Sequence, residues 1–160
     1  MKTSKCLIFK ADQQKFAIKT TNVVNILEKV RLVEVPIYGS LNTPIISFRG
    51  LNIPLINIRE IMGMKSNDSF KNNCVLVVEL KINSVLELVG ISIDEIIEIC
   101  ELDDFMSYPY MPVSNSEKCE MREAIVLHNG EPVIVINANK ISCIQHSENK
   151  VNHPQLFIPN

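Results

Sequence analysis

Two stretches of this 160-residue sequence return later in the same chain and in the same order. The apolar pattern of residues 16–27 returns 73 positions later, and the pattern of residues 50–61 returns 80 positions later. Two similar offsets in the same order indicate a duplicated unit with a small insertion in the second copy. The matched residues of the second stretch include Gly50 and Gly130, Ile56 and Ile136, and Asn57 and Asn137.

Each copy consists of short apolar segments separated by turn residues, which is typical of β-strands. Asn129-Gly130 favours a tight hairpin turn, and Pro54 within a strand predicts an edge position or a bulge. Thr20 or Thr21 begins either a short helical turn or an extended segment, because β-branched residues follow. The predicted strands and extended segments are 6–11, 15–19, 20–27, 45–48, 53–58, 74–80, 86–93, 94–102, 124–127 and 133–136.

Many short strands, few helices and an internal duplication predict an all-β fold of two small β-barrel lobes with short helical turns. Strands of a duplicated unit can pair across the copies, so the lobes need not be contiguous in sequence. We expect one domain over residues 1–146. The polar residues 147–160 form a C-terminal tail that we expect to be flexible.

Charge and composition exclude several classes of protein. A net charge of −2 with scattered Lys and Arg argues against nucleic-acid binding. No apolar run approaches the roughly 18–20 residues of a membrane span, and the N-terminus lacks the features of a signal peptide. We therefore expect a cytoplasmic protein without direct membrane insertion. Five widely spaced cysteines without a C-x-x-C pair indicate free thiols in a reducing compartment.

The sequence predicts no catalytic site, no metal and no cofactor. The carboxylate pairs of residues 94–95 and 103–104 are adjacent in sequence and are expected to face water. No nucleophile–base arrangement or phosphate-binding loop is present. Cys143 and His146 have a C-x-x-H spacing, which alone is a weak indication of a metal site, and Cys100 reads as a small strand hydrophobe.

Four blocks of the chain, in order over roughly residues 6–144, resemble the CheW family of bacterial chemosensory adaptors. The block at residues 46–59, ISFRGLNIPLINIR, resembles the family signature I-N-L-R-G-x-x-x-P-x-x-D-L-R. Ser47 and Asn57 replace the Asn and Asp of that signature. The other blocks are Phe16–Ile26 with Val35-Pro36, Val75–Glu79 and Val89–Ile99.

The resemblance implies two five-stranded β-barrels around a shared apolar interface and no catalytic activity. It implies two partners: the CheW-like regulatory domain of the histidine kinase CheA and the cytoplasmic tip of methyl-accepting chemoreceptors. The same fold in a pilus-motility or other non-flagellar chemosensory pathway, or a divergent barrel that has changed partner, remains open. A ligand- or oligonucleotide-binding barrel is disfavoured because exposed aromatics interleaved with basic residues are lacking.

The resemblance also assigns candidate site residues. The receptor-binding candidates are Arg49, Val23, Asn25 and Arg59. The family usually has Glu at the position of Asn25, where it pairs with the Arg that matches Arg49. Val23 is alternatively core, and Arg59 alternatively orders a strand end or only caps an exposed edge. The kinase-binding candidates are Leu51, Ile53 and Leu55, of which the latter two are alternatively barrel interior, and Tyr108 and Tyr110 are a further candidate contact.

Overall fold

The structure is a computed structural model, and it describes residues 3–28, 33–36, 42–62, 74–103, 107–109 and 122–141. Helical structure among these residues comprises a 3-10 turn (Thr20–Asn22), the short helix α1 (Ile58–Ile61) and a helical turn at 138–141. The strands are β1 (Thr3–Ala11), β2 (Gln14–Lys19), β3 (Val23–Leu27), β4 (Val33–Pro36), β5 (Asn42–Phe48), β6 (Leu51–Asn57), β7 (Cys74–Ile82), β8 (Val85–Ile93), β9 (Glu95–Asp103), β10 (Ser107–Pro109), β11 (Arg122–His128) and β12 (Glu131–Ile136).

Hydrogen bonding sorts these strands into two six-stranded sheets. The sheet of lobe 1 has the order β10-β11-β12-β2-β1-β9, and the sheet of lobe 2 has the order β3-β7-β8-β6-β5-β4. If β1–β6 form the first copy and β7–β12 the second, each lobe takes two strands from one copy and four from the other. The copies therefore exchange hairpins, and neither lobe is contiguous in sequence.

The pairings in the two lobes correspond at the offsets seen in the sequence. In lobe 1, β12 runs parallel to β2 with Val135 opposite Ala17. In lobe 2, β6 runs parallel to β8 with Leu55 opposite Gly90. Val135 follows Leu55 by 80 positions and Gly90 follows Ala17 by 73, so the same pair recurs in both lobes. The duplication in sequence is a duplication in structure.

The predicted all-β, two-lobed fold is confirmed, with one strand added to each lobe. Each sheet contains five strands of at least five residues. The sixth is a short edge strand, β10 with three residues in lobe 1 and β4 with four in lobe 2. The undecided segment at Thr20 contains both alternatives, since the 3-10 turn leads directly into β3.

The sheet of lobe 1 curls back toward itself. β9 and β11 are four places apart in the strand order, which in a flat sheet corresponds to about 19 Å. The side chains of Glu98 on β9 and His128 on β11 are nevertheless in contact. Only a strongly curled sheet brings these strands together, and the concave side encloses an apolar interior.

Three apolar clusters result, one inside each lobe and one between the lobes. β1 contributes to two of them: Leu7 and Phe9 face the shared core, whereas Cys6 and Ile8 face the interior of lobe 1. A strand that is buried on both faces needs apolar residues in succession, which explains the run CLIF at residues 6–9. The stacked rings of Phe9 and Phe16, 5.6 Å apart between centroids, lie in the shared core.

Pro54 lies neither on an edge strand nor at a register shift of the β5–β6 pairing, so the prediction of an edge position or a bulge is wrong. β6 is flanked by β5 and β8, and Pro54 is opposite Ile45 on β5. The parallel pairing with β8 begins one residue later, at Leu55. Because Pro54 precedes that ladder, its missing N–H removes no hydrogen bond from it. An interior strand can accept proline at such a position.

Candidate functional site

The β5–β6 hairpin closes with two residues at positive φ, Arg49 at 50° and Gly50 at 78°. The β11–β12 hairpin has the same turn, with Asn129 at 52° and Gly130 at 77°, as the Asn-Gly pair predicted. Two central residues at positive φ define a type I′ turn, whose twist matches the flanking strands. Asn adopts this conformation readily, whereas an ordinary side chain is disfavoured by about 1–2 kcal/mol. Arg49 is therefore held in a strained conformation. The turn does not require Arg at this position, because Asn129 serves in the equivalent turn.

Arg49 is exposed, and its guanidinium lies 4.8 Å from the centroid of the Phe48 ring. No carboxylate pairs with Arg49 within the described part of the chain. The replacement of the family's Glu by Asn25 thus leaves no buried arginine charge unpaired. The side-chain oxygen of Asn25 instead accepts a hydrogen bond from the N–H of Ile26 at 2.7 Å.

Val23 and Asn25 belong to β3, which is an edge strand of lobe 2. The pairing of β3 with β7 shifts register between these two residues, which marks a bulge. Val23 is half-buried against the shared core, as its alternative interpretation predicted. Asn25 is also half-buried. The receptor-binding role of both residues stays a prediction.

Arg59, another receptor-binding candidate, is 6% exposed and lies in a partly buried ion cluster with two more exposed carboxylates. Its Nε donates to Asp12 Oδ1 at 2.9 Å, and its Nη2 donates to Asp94 Oδ1. The backbone N–H of Asp12 donates to Asp94 Oδ2 at 2.6 Å. The cluster joins the β1–β2 turn, the β8–β9 connection and the start of α1. This position favours the alternative in which Arg59 orders a strand end.

Asn57 closes β6 and caps α1, since its Oδ1 accepts the N–H of Arg59 at 3.1 Å. Asn137 makes the same bond to the N–H of Asn139 at 3.1 Å in the second copy. The capping atom is an oxygen that Asn shares with the Asp of the family signature. The Nδ2 of Asn57 is buried without a hydrogen-bond partner, so Asn keeps the cap but adds an unsatisfied donor.

The three kinase-binding candidates separate into two groups. Leu51 is 55% exposed beside the β5–β6 turn, whereas Ile53 and Leu55 are 4% and 5% exposed within the interior of lobe 2. The exposed docking patch expected from all three is therefore corrected: Ile53 and Leu55 are barrel interior, and only Leu51 presents its side chain outward. Tyr108 lies on β10, and Tyr110 lies outside the described residues, as do Cys143 and His146.

The structure brings together Glu98, Cys100 and His128, which the sequence did not predict as a group. Their potential ligand atoms all lie within 4.8 Å of one another. Burial of Cys100 and, to a smaller extent, the negative charge of Glu98 raise the pKa of its thiol. The sequence contains the three residues, but it does not predict the curl of the sheet that brings β9 close to β11.

The arrangement defines a class of protein: two strand-exchanged β lobes around a common core, with exposed turns at the lobe ends. A model of the CheW-like domain family matches residues 5–143. The chain therefore belongs to the CheW-like domain family.

The chain's fold is also that of a solved scaffolding protein. The crystal structure of the scaffolding protein TtCheW from Thermoanaerobacter tengcongensis matches with a TM-score of 0.71 at 20% identity, over 85% of this chain and 90% of that chain. At this identity the likeness concerns the fold. No curated protein matches the chain. Within the described residues, no helix is long and apolar enough to cross a membrane.

Proposed function

We propose that this chain is a non-catalytic chemosensory adaptor that couples receptors to a histidine kinase through protein–protein contacts. The observation that carries the proposal is the family match over residues 5–143. It is supported by the two-lobed, strand-exchanged fold. The proposed partners are the CheW-like regulatory domain of the kinase CheA and the cytoplasmic tip of methyl-accepting chemoreceptors, and the proposed location is the cytoplasm.

The β5–β6 turn offers the features that a kinase contact requires. Leu51 is an apolar side chain in water at the end of lobe 2, and interfaces concentrate their energy in a few such anchors. Ile53 and Leu55 lie beneath it and support the hairpin from the interior. We assign the kinase contact to Leu51, with Ile53 and Leu55 acting indirectly.

The receptor contact is assigned to Arg49 together with the β3 edge that carries Val23 and Asn25. Arg49 presents five N–H donors in a planar group without an intramolecular carboxylate in the described part of the chain. A strained conformation at an exposed cation is a reason to expect function. Arg59 acts by positioning, because it is buried and its Nε and Nη2 pair with Asp12 and Asp94.

Calorimetry with the kinase's regulatory domain tests the kinase contact. We expect micromolar or tighter binding by the unaltered chain and at least roughly tenfold weaker binding by Leu51→Glu, as for loss of an interface anchor. Glu is the residue of the second copy at this position, Glu131, so the hairpin can accept it. Leu127→Ser is the matched control, since Leu127 is 48% exposed in the other lobe and corresponds to Ser47. Equal affinity of the unaltered chain and Leu51→Glu would contradict the assignment.

A pull-down with a receptor cytoplasmic fragment tests the second contact. Arg49→Asn keeps the type I′ turn, because Asn129 holds the same conformation in the second copy. It removes the cation without disturbing the backbone. We expect a clear loss of receptor binding with unchanged kinase affinity. If Arg49→Asn retains full receptor binding, Arg49 is not part of the receptor contact.

A further inference from the structure

One cluster of side chains is unused by the proposed adaptor function. Glu98 and Cys100 are two residues apart on β9, so both point to the same face of the strand. His128 ends β11 and reaches them across the curled sheet, with its Nε2 against Glu98 Oε1. Each of the three is partly exposed, so an ion can enter from solvent.

The other lobe is an internal control for this cluster. By the two repeat offsets, Glu98, Cys100 and His128 correspond to Asn25, Leu27 and Phe48. In lobe 2 these positions hold an amide and two apolar side chains, and Phe48 and Leu27 belong to its interior cluster. The fold therefore needs no carboxylate, thiol and imidazole here. Lobe 1 has three metal-ligating groups where one amide and two apolar side chains suffice in lobe 2.

The chemistry of the three groups selects the ion. Thiolate and imidazole are ligands for borderline-soft metals, and one carboxylate oxygen completes a set common in zinc proteins. Ligand atoms of tetrahedral zinc are about 3–4 Å apart, given metal–ligand distances of about 2.0–2.3 Å. The three groups lie within 4.8 Å of one another, so small side-chain movements suffice.

We propose that Glu98, Cys100 and His128 form a zinc site at the mouth of lobe 1, with the fourth position open to water or to a ligand from a partner. The bound ion would join the edge strand β9 to the β11–β12 hairpin. It would thereby stabilise the curl of the sheet. Within the described residues, the edge strands β9 and β10 are not paired with each other, so hydrogen bonds between them do not close the sheet.

Metal titration of the purified full chain, first freed of metal by a chelator, tests the site. We expect one Zn²⁺ per chain in competition with a chromophoric chelator. Co²⁺ in place of Zn²⁺ should give a thiolate-to-metal charge-transfer band and visible bands of tetrahedral cobalt. Zn²⁺ should also raise the melting temperature, because an ion bound to the folded state stabilises it.

The first copy, in Asn25, Leu27 and Phe48, supplies replacements that the fold accepts. We expect Glu98→Asn, Cys100→Leu and His128→Phe each to weaken zinc binding by more than about 100-fold, exceeding the usual effect of outer-shell changes. Glu101→Gln is the matched control for charge, since Glu101 is exposed on the same strand. It should bind zinc normally. The metal-free melting temperature of each variant shows whether it folds.

The double variant Cys119→Ser/Cys143→Ser separates this site from the C-x-x-H pair near the C-terminus. Cys6 and Cys74 are buried in the cores, so a thiolate–cobalt band in this variant reports Cys100. We expect the band to persist there. Loss of the band in the double variant, persistence of tight binding in folded Cys100→Leu, or absence of zinc binding by the unaltered chain would each overturn the proposal.

Discussion

Gly90 occupies the position in lobe 2 that Ala17 occupies in lobe 1, and the two positions differ in the space around them. A Cβ built on Gly90 would lie 2.9 Å from Val75 Cγ1 and 3.1 Å from the Cδ1 atoms of Ile46 and Leu55. We predict that Gly90→Ala destabilises the protein by about 1–3 kcal/mol, the usual cost of overpacking. Urea denaturation measures the loss.

A double-mutant cycle identifies the cause of that loss. Val75→Ala removes the Cγ1 atom nearest to the new methyl group, so Gly90→Ala should cost less in the Val75→Ala background than alone. Equal costs in both backgrounds would mean that the clash with Val75 does not determine the effect.

The partly buried cluster of Arg59 supports a second prediction. Arg59→Leu leaves Asp12 and Asp94 facing each other without their shared cation. Because the side chains of Asp12 and Asp94 are 43% and 21% exposed, we expect a loss of about 1–3 kcal/mol, the usual range for hydrogen bonds to charged groups. The control is Lys15→Met, which breaks an ion pair with the exposed Glu131. Surface pairs contribute about 0–1 kcal/mol. Urea denaturation should separate the two variants, and equal losses would contradict the structural role of Arg59.

Single residues also show what the sequence could reveal. Asn129-Gly130 predicted its turn correctly, because the conformation of a turn is a local property. The burial of Arg59 was not predictable, since its carboxylates come from positions 47 and 35 residues away in sequence. For Ile53 and Leu55 the sequence left open both an exposed docking patch and the barrel interior. An apolar residue fits an interface or a core equally well.

Among the secondary-structure elements, the exchanged hairpins determine how the chain must fold. Lobe 1 contains β1 and β2 from the first copy, and lobe 2 contains β7 and β8 from the second. We predict that fragments 1–66 and 67–160, each produced alone, show no cooperative unfolding, because each lacks strands of both lobes. Mixed together, they should reconstitute both sheets. Circular dichroism during thermal unfolding measures the transition.

The control for this experiment is the intact chain under the same conditions. Cooperative unfolding of fragment 1–66 alone would contradict the strand exchange, because that fragment would then hold a complete sheet. Failure of the mixed fragments to regain the cooperative unfolding of the intact chain would contradict it equally.

The strands themselves were largely predictable from the sequence, whereas the pairing of distant strands within each sheet was not. Hairpins β1–β2, β7–β8 and β11–β12 follow from alternating apolar segments and turn residues, and the repeat offsets correctly aligned the copies. The parallel neighbours β2–β12 and β6–β8 join segments far apart in sequence. Nothing in a local pattern selects such a pairing. The grouping of Glu98 with His128 depends on the same long-range arrangement and was therefore missed.

At the scale of the whole molecule, the two lobes share one architecture but carry different side chains at their equivalent turns. The turn of lobe 2 carries the exposed Arg49 and Leu51, whereas the equivalent turn of lobe 1 carries Asn129 and Glu131, the latter paired with Lys15. The shared core and the Arg59 cluster join the lobes. Divergence of the two copies has thus placed an exposed cation and an exposed apolar side chain together on the turn of lobe 2.

Co-sedimentation of the kinase with receptor cytoplasmic fragments assembled on vesicles, with and without this chain, tests the adaptor role most directly. We predict that the kinase sediments with the receptor far more when the chain is present. Leu51→Glu should still bind the receptor but lose the kinase, and Leu127→Ser should act as the unaltered chain does. A folded chain that sediments with neither partner, and leaves kinase recovery unchanged, would contradict the account.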